Sequence, residues 1–399
     1  MSHLIETHHL LPATHFGGRP GRSTTDSLHL LEATVKNAWR THKVASALFL
    51  DIEGAFPNAV TDRLLHNMKR HKIPDSLVNF TERVLTNRKT RLMFDGHKSN
   101  WTLITNGIGQ GDPLSMIIYI IYNADLVEVP QGHPNELTLA FIDDTVFITS
   151  GKNINEMHRT LQDMLERTGG GFDWSLDHNS KFETNKFALI DFTPIKQTAH
   201  PHINIRGTII TPTISHKFLG VIVDERLSWH HHINYAIGKG TAYTLQLYRL
   251  ATASKGLPLM LMCQLYTSVA IPKLLYAIDV WFTPLYTTDN NDIRRGSITA
   301  AKKLNKVQCI ALISMTRALR TTATDILEAL TNLLPLDLRI QNLCHQAAIR
   351  LTSHPTSHPI SPLLHQASKC YVQRHKSSLH HLTCAYLLNP DTIEKIQPA

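Results

Sequence analysis

Two apolar runs enclose a pair of adjacent acids in LTLAFIDDTVFITS, residues 137–150. β-branched and aromatic residues on both sides of a charged tip read as a β-hairpin over 137–149 about Asp143-Asp144. This feature constrains the fold most, because such a hairpin needs a sheet to bury it while its tip stays wet. Asp is also a favoured turn residue, so the pair alone has a purely structural explanation. A second acid adds weight. Residues 44–52, VASALFLDI, form an apolar run of strand formers that ends at Asp51. A carboxylate at the mouth of a buried strand carries a desolvation cost unless a cation or a donor meets it. If the two segments are neighbours in one sheet, three carboxylates converge at one edge. That oxygen-only set suits a hard divalent cation, Mg²⁺ in particular. Two such ions can clamp the attacking and leaving oxygens of an in-line phosphoryl displacement. Glu53 is read as a turn residue.

The remaining chain reads as mixed α+β. Ser and Thr residues open a helix over 23–40 with Leu28, Leu31, Val35 and Trp39 at helical spacing. Helices follow over 58–72 and 75–87 on either side of Pro74, then a hairpin over 90–105 about Asp95-Gly96. A helix from Asp112-Pro113 is expected to reach residue 129, another spans 154–167, and 186–192 and 202–210 are strand-like. After Trp229 the pattern is helical to about residue 350. A Pro/Ser/His-rich linker, 351–363, and a His-rich tail close the chain. A length of 399 residues suggests two or three domains. Lys plus Arg is 40 against 32 for Asp plus Glu, a formal charge of +8 that suits a polyanionic partner. The five cysteines are scattered without a CxxC, which points to a reducing compartment and free thiols. No signal peptide or transmembrane segment is expected, so the reading is intracellular, in cytoplasm or nucleus, with no membrane partner.

FLDIEGAF, NGIGQGDPLS and AFIDDTVF, in this order and spacing, resemble motifs A, B and C of reverse transcriptases. The form is that of non-LTR (LINE-like) retroelements, and the wording is closest to fungal ones. FGGRPGRSTTDSL (16–28) resembles the fingers motif before motif A, with FGG for the commoner FGF. SKFETNKFALIDF (180–192) resembles motif D and HKFLGVIVDERLSW (216–229) the primer grip. The resemblance covers about residues 5–345. It implies a right-hand polymerase of the α+β class. A truncated fingers segment (1–43) precedes a ferredoxin-like palm with an antiparallel sheet (44–228). A helical thumb (229–350) and the linker and tail (351–399) follow.

The resemblance also implies roles. Asp51, Asp143 and Asp144 bind two Mg²⁺ ions, with Mn²⁺ a possible substitute. Phe56, five residues beyond Asp51, is the sugar gate; otherwise it is a core Phe. In GIGQGDPLS, Gly109 and Gly111 permit close backbone approach and Asp112-Pro113 suit a helix start, while Gln110 and Gly111 meet the nascent base pair and template. Arg19 and Arg22 contact triphosphate or template. Lys186 is the proton donor to pyrophosphate, with Lys181 the competing choice. Phe218, Leu219 and Gly220 form the primer-grip hairpin. The partners implied are an RNA template, a DNA primer and deoxynucleoside triphosphates.

Weaker signals stay bland. His230, His231 and His232 read as solvated loop, and the Cys370, His375, His380, His381 and Cys384 set matches no zinc module. The segments that normally precede FGGRPGRS are missing from this chain, so impaired activity is expected. The rival readings are a remnant that binds nucleic acid only and a polymerase that is DNA-templated or untemplated.

Overall fold

The structure is a computed structural model. It describes residues 1–399 except 131, 196–200, 251–255, 288–293 and 397–399. The chain divides into two compact units, Met1–Leu219 and Gly220–Ile396.

In the first unit, helix α1 (Thr24–Arg40) opens with a capping box: the Ser23 hydroxyl accepts from the Asp26 amide, and the Asp26 carboxylate accepts from the Ser23 amide. Its apolar stripe, Leu28, Leu31, Val35 and Trp39, is buried. The indole of Trp39 donates to the Phe192 carbonyl at 3.1 Å, which ties the helix to the sheet.

That sheet has four antiparallel strands: β1 (Val44–Leu50), β2 (Glu136–Phe141), β3 (Asp144–Gly151) and β4 (Ala188–Phe192), in the order β4-β1-β3-β2. β1 is apolar but for Ser46, which donates to the buried Asp191 carboxylate at 2.5 Å, because both its faces are covered. Leu48 and Leu50 join the main core, while Phe49 meets His216 at 4.7 Å and Phe218 at 5.2 Å. The outer edge of β2 is not left open. Phe16 donates to Ala140 at 2.7 Å, and the Ala140 amide returns a bond to Thr14 at 3.2 Å.

Three boundaries differ from expectation. The last pair of the β2–β3 hairpin is Phe141 with Asp144, so the tip is Ile142-Asp143 and Asp144 begins the return strand. The helix from Pro113, α4 (Pro113–Tyr122), stops at Asn123, and a short turn of helix, Ala124–Val127, replaces its expected extension. The segment 351–363 is packed. Helices Ser361–Lys369 and Ser378–Tyr386 follow it, and Leu351, Ile360, Leu364, Leu379 and Leu382 are all buried. His354 and His358 are buried too, their rings 3.9 Å apart. Pro and Ser count is a compositional signal that ignores what the residues face, and here Ser353, His354, Pro355, His358 and Ile360 are buried along an irregular path.

Other elements follow the pattern: α2 (Thr61–Arg70), α3 (Asp75–Leu85) and α5 (Ile154–Glu166), the last capped by Asn153. A small helix, α6 (Gly171–Asp177), was not visible in the periodicity. The hairpin at 88–104 turns on Asp95 (φ +48°) and Gly96 (φ +80°). A second pairs Ile203–Ile205 with Thr208–Ile210. The second unit is chiefly helical, led by α7 (His230–Leu250), α8 (Ile298–Thr316) and α9 (Leu336–Thr352). Residues 251–255 and 288–293 of that expected helical stretch lie outside the described residues. Among the described residues, no helix is long and apolar enough to cross a membrane.

Candidate active site

Asp51 stands one residue beyond the last paired residue of β1, where Leu50 faces Thr145. The chain then changes partner: Ile52 pairs with Phe182 and Glu53 with Lys181, and the Asp51 carbonyl accepts from the Glu183 amide at 3.0 Å. This crossing holds Asp51 beside the start of β3, where Asp143 and Asp144 lie, so the three acids share one sheet end. Desolvation is the largest effect on Asp144, although the residue itself is accessible. With the negative charges of Asp143 and Asp51 it raises the Asp144 pKa to about 6. The side chain of Asp51 is 43% exposed. The three carboxylates are not gathered as closely as His71, Asp125 and Glu128, whose ligand atoms lie within 4.8 Å of one another. That second cluster is already neutralised, since Arg70 reaches Asp125 at 2.9 Å and Arg63 reaches it at 3.6 Å.

Lys186 extends its ammonium to within 3.5 Å of Asp51 and also pairs with Glu183. The Glu183 partner, with Asp51 adding to it, raises the lysine pKa above its ordinary value. Lys181 sits opposite Glu53, farther along the short ladder. Of the two candidates, Lys186 is the one that touches an acid of the site.

The hairpin tip is forced. Ile142 is β-branched yet adopts φ +62°, a conformation such residues rarely take unless their surroundings impose it. Two neighbours do so. Asn123, fully buried, donates its side-chain amide to the Ile142 carbonyl at 2.9 Å. Gly17 lies against the same turn, so closely that a methyl group there would sit 2.5 Å from the Ile142 nitrogen.

A strap from the Gly-rich loop closes the other side. Gly107 donates to Ala59 and Ile108 to Phe56, both at 2.8 Å. Gly107 is required here, with φ +88° and a Cβ position 2.6 Å from the Pro57 carbonyl oxygen. Phe56, half-buried, stacks on Tyr119 with ring centroids 4.7 Å apart. Burial raises the Tyr119 pKa well above normal, and the charge of Asp143 adds to it. Gln110 and Gly111 are exposed on the loop, Gly111 with φ +94° and open space around it. Asp112 caps α4 by accepting from the Leu114 amide at 3.0 Å.

The two arginines require a correction. Arg19 is buried, and its guanidinium makes a two-point pair with Glu6 at 2.6 and 3.0 Å and donates to the Pro12 carbonyl at 2.7 Å. Arg22 donates to the carbonyls of Ala13 and His15 and lies near Glu6. Burial, with the charge of Arg19, lowers its pKa to about 10. Both guanidiniums are engaged by Glu6 and by carbonyls of the 12–15 segment. Phe218 is likewise a core residue, packed on Phe49. Leu219 (φ +46°) and Gly220 (φ +84°) mark a turn where the two units divide. His232 is buried rather than solvated. Asn123, Tyr119, Gly17 and Gly107 were missed from sequence. Only the glycines carried a visible signal.

A family profile described as "Reverse transcriptase (RNA-dependent DNA polymerase)" matches residues 1–230. The chain is 25% identical over 355 residues to the RNA-directed DNA polymerase from mobile element jockey of Drosophila melanogaster, covering 87% of this chain and 36% of that protein. It is 25% identical over 287 residues to a probable RNA-directed DNA polymerase from transposon BS of the same fly, covering 70% of this chain and 31% of that protein. Over 217 residues it is 28% identical to a Pol polyprotein of the type-1 retrotransposable element R2 of Nasonia vitripennis, covering 50% and 20%. The chain thus spans about a third of the length of the curated relatives it matches first. These relatives are insect elements, so the fungal wording gains no support. Among solved structures, apo telomerase from Candida tropicalis is similar at a TM-score of 0.40 and 9% identity, over 82% of this chain and 53% of that one.

Proposed function

The chain belongs to the reverse transcriptase (RNA-dependent DNA polymerase) family, and from that premise we propose that it is the polymerase part of a non-LTR retroelement protein. The reaction is RNA-templated addition of deoxynucleotides to the 3′-hydroxyl of a DNA primer. The observation that carries this reading is the meeting of Asp51, Asp143 and Asp144 at one sheet end, close enough for two of the charges to act on the third.

The donor set fits a divalent cation: it is all oxygen, and a cation there would offset the desolvation and the charges of Asp143 and Asp51 that together raise Asp144. Asp51 and Asp143 would hold both ions and Asp144 would complete the site. Bound Mg²⁺, or Mn²⁺ in its place, lowers the pKa of the primer hydroxyl and neutralises triphosphate charge. The protein's own residues do the rest. Phe56 would act as the sugar gate, a flat ring excluding a 2′-hydroxyl, and its stack on Tyr119 supports that role. Lys186 would give a proton to departing pyrophosphate, a role supported by its raised pKa beside Glu183 and its contact with Asp51. Gln110 and Gly111 would meet the nascent base pair, and their exposure on the loop supports that role. In family terms residues 1–43 are the fingers segment, 44–228 the palm and 229–350 the thumb, with Leu219-Gly220 at the primer end.

The test is primer extension on RNA and DNA templates, with and without Mg²⁺. Asp143→Asn and Asp51→Asn keep shape and remove charge. Extension is expected to fall by orders of magnitude in each, with unfolding curves unchanged. An Asn variant that keeps a third of parent activity overturns the assignment. A folded parent that extends nothing favours a remnant that only binds nucleic acid.

A further inference from the structure

The hairpin at 88–104 buries almost nothing. Arg88–Thr90 pair with Thr102–Ile104 and Met93–Phe94 with His97–Lys98, yet Phe94 is 79% exposed and Trp101 is 61% exposed. Leu92, Met93 and Leu103 are exposed too. A two-stranded ribbon with wet apolar faces is marginal by itself, so something of matching chemistry is expected to cover it. Its charge says what. Lys89, Arg91 and Lys98 stand among the apolar residues, against the single acid Asp95 at the tip. Arg91 lies over the Trp101 ring at 4.7 Å, so cation and aromatic share one face. Protein interface cores are depleted in Lys, whereas basic side chains interleaved with exposed rings suit a phosphate backbone with unstacked bases.

The hairpin is also tied to the site. Arg88 donates to the carbonyls of Leu85, Asn106 and Gly107, the first at 2.9 Å and the second at 3.2 Å. Gly107 and Ile108 form the strap that holds Phe56 and Ala59. The ribbon's base and the strap that holds Phe56 therefore meet at Gly107.

We propose that the 88–104 hairpin is a binding surface for single-stranded nucleic acid, with bases stacking on Phe94 and Trp101 and phosphates meeting Lys89, Arg91 and Lys98. Resting on the function proposed above, its occupant during synthesis is the uncopied template strand. Double-stranded nucleic acid, whose bases are already stacked, gains little from these rings.

The test uses the full chain and short labelled oligonucleotides: single-stranded RNA, single-stranded DNA and an RNA–DNA duplex. Phe94→Ser and Trp101→Ser remove one ring each, and Tyr371→Ser, an exposed aromatic of the second unit, is the control. Each hairpin variant is expected to weaken single-strand binding by roughly tenfold, the scale of one lost base stack. Duplex affinity and the control should stay within about twofold. Lys89→Glu with Lys98→Glu leaves the rings in place and is expected to flatten the dependence of affinity on salt. Comparing RNA with DNA oligonucleotides tells which strand chemistry is preferred. Unchanged single-strand affinity in the ring and charge variants, or equal losses on duplex and single strand, overturns the proposal. So does a sedimenting dimer that the ring variants disperse while RNA affinity stays put, since a second copy would then be the occupant. A parent that binds through the hairpin yet extends no primer overturns the proposed reaction and leaves this surface standing. Extension with hairpin-independent binding does the reverse.

Discussion

Gly17→Ala adds one methyl group at the point where the 14–17 segment presses on the acidic hairpin. That methyl would lie 2.5 Å from both the nitrogen and the Cγ1 of Ile142 and 2.9 Å from the Phe141 carbonyl carbon, while ordinary contact begins at 3.4 Å. Two of these three atoms are backbone, so no rotamer change relieves the overlap. The glycine's own segment cannot retreat either, because Phe16 and Thr14 are hydrogen-bonded to Ala140 on the same hairpin. The turn must move by about 1 Å, and Asp143 moves with it. A displacement of that size at reacting groups costs about 100-fold in rate, and the overpacking costs roughly 1–3 kcal/mol of stability. The assay is primer extension at saturating nucleotide beside thermal unfolding of the same samples. Gly238→Ala is the control: in helix α7, with nothing near its Cβ position, it is expected to leave both unchanged or to raise stability by up to about 1 kcal/mol. Parent-like extension and parent-like unfolding in Gly17→Ala would refute the argument that this contact sets the tip.

Asn123→Ala should cost about 1–3 kcal/mol in denaturant unfolding, because the Ile142 carbonyl loses its donor, and extension should fall with it; a neutral effect would remove Asn123 from the support of the tip. Phe56→Ala should admit ribonucleotides, narrowing discrimination by roughly one or two powers of ten in competitive incorporation, and intact discrimination would return Phe56 to a packing role. Burial holds the pKa of His178 down at about 4, and burial with the charges of Arg19 and Arg22 holds His15 at about 3, against 6.5 unfolded. Between those values the unfolded chain takes up protons that the folded chain refuses, so stability is full above about pH 6.5 and falls as pH drops toward 4. Thermal unfolding from about pH 7 to about pH 4.5 measures this, His178→Gln should flatten the fall, and a profile indifferent to that change would show that other groups govern it.

The strands at 44–50 and 136–151, the helix at 24–40 and the turn at Asp95-Gly96 were legible because period, capping and turn chemistry act over a few residues. The acids of the site were legible for a related reason: a charge at the end of an apolar run is visible without knowing its neighbours. Their meeting at one sheet end was not. It depends on the antiparallel register of β1 with β3, a pairing across about a hundred residues. The same limit explains the errors. Arg19 and Arg22 looked like ligands in an exposed Gly/Pro loop, and only tertiary contact showed Glu6 and the carbonyls that occupy them. The packed segment after Leu351 looked like a linker because composition counts residues and ignores what they face.

Local chemistry therefore marked these acids as candidates for phosphoryl transfer, and the fold decided which of them meet. The supports of the acidic tip, Asn123 below it and Gly17 beside it, belong wholly to the second kind. A hydrogen bond to one carbonyl and a contact that tolerates no methyl group leave no periodic trace in a sequence, because both are set by distances between segments far apart in the chain.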